Sequence, residues 1–162
     1  MEVTVEYLGA VQFEVRARNH AILCDQPEEN GGFDEGITPP ELMLASLGTC
    51  AGYYAAEYLN KRQLPASGMR IKVTAEKAKS PARLGSFRVE VRLPATIDNH
   101  RREGVVRAIH SCLIHNTLLN PPAIELDIIT PVDGELAAGP SSELTQVSVN
   151  STTEPRAFLR ST

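Results

Sequence analysis

The chain has 162 residues, of which 42% are hydrophobic and 22% charged, and its formal net charge is −4. That length and balance suit one globular domain with a real core and exclude a disordered chain. No basic run exceeds a pair (Lys61-Arg62, Arg101-Arg102), so no nucleic-acid footprint is expected.

The first residues, Met1-Glu2-Val3-Thr4-Val5-Glu6, carry neither a positive n-region nor an apolar h-region, and no secretory leader is expected. Val3, Val5 and Tyr7 alternate with polar neighbours, the period of a half-buried strand. Gly9-Ala10 marks a turn into a second strand, Val11, Phe13 and Val15, and Asn19-His20 a turn into Ala21–Cys24. Residues 25–38 are acidic and Gly-rich and read as a loop.

Thr38 and Glu41 have the spacing of a capping box, with Pro39 at the first helical position, and predict a helix to about Lys61. From Leu42 to Ala56 it has 15 consecutive uncharged residues, including Gly48 and Gly52. That is too short to span a bilayer, so no membrane partner is expected. A helix apolar all round must be covered all round. The surrounding strands can cover only part of it, so a homodimer that buries the helix is expected, with a large monomeric core as the rival.

Met69–Glu76 and Phe87–Leu93 alternate as two strands with one charged face each, joined by a loop from Ser80-Pro81 to Gly85. A second helix is predicted over 98–114, capped by Asp98 or Asn99, with Val105, Ile109, Cys112 and Leu113 on its buried stripe. Ile124, Leu126 and Ile128 alternate as a last strand. From Val132 onward, 13 of 31 residues are Ser, Thr, Gly or Pro, which reads as a loosely docked tail. The order is β-β-β-α-β-β-α-β, an α+β plan with one domain over 1–131 and a tail over 132–162.

Three cysteines, Cys24, Cys50 and Cys112, are too few and too odd for a secreted disulfide framework, and predict reduced thiols in a cytoplasmic setting. Cys50 and Cys112, 62 positions apart, each sit on the stripe of a predicted helix. Stripes facing one core can bring two sulfurs together, and paired thiols support a peroxide cycle. The rival reading is structural cysteines, because free cysteine usually behaves as a small buried hydrophobe. His110-x-Cys112-x-x-His115 invites a zinc reading, but residues 110 and 112 point to different helix faces, and no metal is expected. His115, three residues after Cys112, is a candidate to polarise that thiol.

Gly36-Ile37-Thr38-Pro39-Pro40-Glu41-Leu42-Met43-Leu44-Ala45-Ser46-Leu47-Gly48-Thr49-Cys50 resembles the segment leading to the first cysteine of OsmC/Ohr-family proteins. Arg107-Ala108-Ile109-His110-Ser111-Cys112, followed by Asn116-Thr117-Leu118 and Pro121-Pro122, is similar to that family's second-cysteine helix and its exit. The likeness runs from about Met1 to Pro131. It implies an intertwined homodimer around largely apolar central helices, with Cys50 attacking an organic hydroperoxide and Cys112 resolving. It further implies a dithiol or lipoyl-type reductant, a role in the oxidative stress response, and no metal or organic cofactor. Two positions depart from the pattern. The glutamate that reducing members carry ten residues before the first cysteine is Pro40 here, and the first turn, Leu8-Gly9-Ala10, has no arginine. Arg16 and Arg18 are the candidate stand-ins. The alternative is a binding or housekeeping protein of the same fold, with inert thiols and an apolar interface pocket.

Overall fold

Period-2 patterning dictates the first element, a three-stranded antiparallel sheet of β1 (Thr4–Gly9), β2 (Gln12–Ala17) and β3 (His20–Cys24), in that order. The computed structural model describes residues 1–130 and the backbone of 131 and 144–148. Register pairs Val5 with Val15, Val15 with Ile22 and Tyr7 with Phe13, so the apolar side chains share one face. The tight reversals draw on left-handed backbone at Ala10 (φ 50°) and Arg18 (φ 54°).

The acidic loop holds one 3₁₀ turn, Glu28–Asn30, and returns alongside β3 at Ile37. Helix α1 (Pro39–Asn60) begins at the expected capping box: the Thr38 Oγ1 accepts from the Glu41 amide while the Glu41 carboxylate accepts from the Thr38 amide at 2.9 Å. The long hairpin β4 (Arg70–Lys79) and β5 (Ala82–Arg92) differs from the sequence expectation at its tip. Residues 82–85 are not loop but paired strand, with Lys77 opposite Leu84 and Lys79 opposite Ala82. A register shift between Ala75 and Lys77 lets pairing continue past Gly85, and that long-range pairing overrides the local Pro/Gly signal.

Helix α1 lies close on β4 because Gly48 and Gly52 present no side chain. A Cβ on Gly48 would stand 3.0 Å from Val73 and one on Gly52 2.7 Å from Ile71. Helix α2 (Asn99–Ile109), capped by Asp98, crosses α1 at Gly104, where a Cβ would overlap the Tyr58 ring. Leu59, 1% exposed, forms the core with Ala55 and Val105, ringed by Leu64, Leu93, Ile97 and Ile109. Burying one leucine of this kind stabilises a fold by roughly 1.5–3 kcal/mol.

The single helix predicted over 98–114 is two. Cys112 leaves helical geometry (φ −62°, ψ 126°), and a separate helix α3 (Leu113–Leu119) starts after it. The break resets the helical phase, so Leu113, expected on the buried stripe, is 59% exposed. The chain divides into two units at Asn120/Pro121. In the second, β6 (Asp127–Pro131) pairs antiparallel with β7 (Leu144–Ser148), so the last expected strand begins later than Ile124. The remainder of the tail expected from Val132 lies outside the described residues. Among the described residues no helix is long and apolar enough to cross a membrane.

Candidate functional site

Cys50 projects from the middle of α1 and is half-buried, whereas Cys112 has no exposed surface at all. The fold brings these two residues close enough together for the Cys50 thiol to act on the titration of Cys112. Both are free thiols, as is the buried Cys24 at the end of β3.

The break between α2 and α3 gives Cys112 a local role that helical periodicity does not reveal. It is the N-cap of α3, and its Sγ accepts the His115 backbone N–H at 3.3 Å. Burial raises the Cys112 pKa above the ordinary thiol range, and Cys50 pushes it the same way by hydrogen bonding and by charge. The amides of His115 and Ile114 pull in the opposite direction and only partly offset this. Cys112 is therefore a thiol held in its protonated form.

His115 contributes its amide to that sulfur. Its imidazole stands edge-on against the ring of His110, centroids 5.2 Å apart. Of the proposed stand-in cations, Arg16 is engaged by Glu14 through Nε at 2.9 Å, and Arg18 sits in the exposed turn after β2. All groups that shift Cys112 are the Cys50 thiol or backbone amides, apart from burial itself. Among the described residues no three His, Cys, Asp or Glu side chains gather as metal ligands.

Asp25 is a functional support that sequence patterning missed. It is 1% exposed, and its carboxylate accepts from the amides of Gln26 (2.7 Å), Phe33 (3.0 Å) and Glu35 (3.1 Å) and from Gln12 Nε2 (3.1 Å). Burial alone would raise its pKa, but these hydrogen bonds outweigh it and hold the carboxyl below its usual range. One carboxylate thus clasps the loop that delivers α1 and Cys50. An acidic residue in a Gly-rich loop was the available signal, though nothing in it marked Asp25 above its neighbours.

An open groove of about 1370 Å3 lies between the inner face of β5 (Phe87, Val89, Val91) and helices α2 and α3. His115, whose amide holds Cys112, is part of its wall, whereas neither Cys50 nor Cys112 is.

The first unit is an α+β fold in which Cys50, on α1, and Cys112, between α2 and α3, lie near each other. The OsmC-like protein family model matches residues 32–127, and the chain belongs to that family. Solved structures are similar in fold. A Psychrobacter arcticus protein assigned to the osmotic stress and detoxification response shares 20% identity at a TM-score of 0.66, covering 71% of this chain and 85% of its own. An OsmC-like protein from Mycoplasma pneumoniae shares 15% identity at 0.65, covering 74% and 87%. An organic hydroperoxide resistance protein OsmC from Legionella pneumophila shares 15% at 0.57, covering 72% and 87%. Among curated proteins none matches in sequence.

Proposed function

We propose that this chain is a thiol-dependent peroxidase that reduces small hydrophobic organic hydroperoxides through Cys50 and Cys112, in the response to oxidative stress. The observation that carries the reading is the pairing of a reachable sulfur with a sealed one. Cys50 as thiolate attacks the O–O bond. It becomes a sulfenic acid, and the alkoxide leaves with a proton as the alcohol. The Cys112 thiol then displaces hydroxide from that sulfenic sulfur, forming the disulfide and releasing water. A dithiol reductant of lipoyl type exchanges with the disulfide and restores both thiols. The protein works in the cytoplasm, where disulfides are otherwise kept reduced.

The same reading includes a homodimer. Val5 (60% exposed), Tyr7 (61%) and Ile22 (44%) form an uncovered apolar sheet face, and Tyr53 on α1 is 64% exposed. A second copy covers these faces and completes the surroundings of α1.

A binding protein with inert thiols has one observation in its favour: no cation is among the groups acting on Cys112. One experiment separates the two. Reduced protein given one equivalent of an alkyl hydroperoxide should lose two of its three thiols, and Cys50→Ser should abolish that loss. An unchanged thiol count refutes the peroxidase.

A further inference from the structure

The β4–β5 hairpin concentrates positive charge on an acidic chain. Residues 70–92 carry seven basic and two acidic side chains, while the rest of the chain carries nine and eighteen. Alternation turns Ile71, Val73, Phe87, Val89 and Val91 inward, and the opposite face carries the charges. Its register sets Arg70 directly across from Arg92 and Lys72 across from Glu90. Like charges directly opposite on a strand pair are destabilising unless an anion lies between them. Arg92 meets Glu90 through Nε at 2.6 Å, an exposed contact of its own strand. Among the described residues neither Arg70 nor Lys72 has a carboxylate within salt-bridge distance. The three cations and Ile71 line a cleft of about 290 Å3.

We infer that this cleft is a binding site for a soluble phosphate-bearing small molecule, straddled by Arg70 and Arg92 with Lys72 beside them. Two guanidinium forks and an ammonium approach from two strands and match the several oxygens and near-double charge of a phosphate monoester. A carboxylate offers one plane and one charge. Ile71 is the one apolar residue at the cleft, which leaves no surface for a lipid chain and favours a soluble ligand. Arg70, Lys72 and Arg92 belong to the hairpin's outer face, and occupancy of the cleft does not depend on the peroxide chemistry.

The test is an NMR titration of the isotopically labelled full chain with inorganic phosphate, against potassium chloride at matched ionic strength. The Arg70 and Arg92 Nε–H signals should shift saturably with phosphate alone. Arg70→Gln should weaken binding about tenfold or more, and Arg83→Gln, at the hairpin's other end, should leave it unchanged. An Arg70→Gln protein with unaltered thermal unfolding in chloride excludes a folding defect as the cause. Equal shifts in chloride, or shifts shared evenly with Arg83 and Arg101, would overturn the site. Arg70-dependent sedimentation with phosphatidylglycerol vesicles, absent with phosphatidylcholine, would overturn its assignment to a soluble ligand.

Discussion

Replacing Cys112 by alanine tests the geometry of the two-thiol centre without any assumption about catalysis. The substitution removes the acceptor that caps α3, leaving the His115 N–H without its 3.3 Å partner. Loss of an N-cap costs about 1 kcal/mol. It also empties a site with no exposed surface, and a methyl-sized void adds about 1 kcal/mol. The expected total is about 2 kcal/mol, a fall in Tm of roughly 4–8 °C for a chain of this size. Cys112→Ser keeps an oxygen at the cap and should lose roughly half as much. Cys50→Ala sits half-buried inside a helix where alanine is favoured, and should lose less than about 1 kcal/mol. Thermal unfolding of the three variants by circular dichroism, under reductant, gives the ranking. If Cys112→Ala unfolds at the temperature of the parent, or no lower than Cys50→Ala, the placement of Cys112 as a sealed cap is refuted.

Three further outcomes follow from the same structure. Asp25 and Glu41 both have folded pKa values below their usual range, Asp25 because hydrogen bonds outweigh burial and Glu41 chiefly because of its bonds to Thr38. Their stabilisation is present above the ordinary carboxylate range, about pH 4, and is lost as pH falls through the depressed values. Asp25→Asn and Glu41→Gln should therefore flatten the acid limb of a Tm–pH profile, and an unaltered limb would contradict both assignments. At the alkaline end the sign reverses, because the Cys112 pKa is raised. Its contribution is full below the ordinary thiol range, about pH 8.5, and declines above it, a decline absent in Cys112→Ala. Separately, Val5→Glu on the uncovered sheet face should leave a lone chain's stability within about 0.5 kcal/mol but weaken dimerisation about tenfold or more by burying an unpaired charge. Analytical ultracentrifugation reads the difference, and an unchanged sedimentation profile would remove that face from the interface.

The sequence by itself determined the elements whose causes are local. Alternation wrote β1 to β3 and the body of the β4–β5 hairpin, and Thr38, Pro39 and Glu41 wrote the start of α1, because each signal acts over a few neighbouring residues. The motif around Cys50 also carried the family. Tertiary structure decided what local rules cannot express. Cys112 reads as one more stripe position on a continuous helix, yet in the fold it leaves helical geometry, and its sulfur is both the cap of α3 and a neighbour of Cys50. Likewise, nothing within the acidic loop singles out Asp25, because its four donors come from Gln12, Gln26, Phe33 and Glu35, residues that meet only once the loop has closed on β2 and β3. Hydrogen-bond satisfaction and burial are properties of the closed chain, and they decide that Cys112 is sealed while Cys50 stays half-buried.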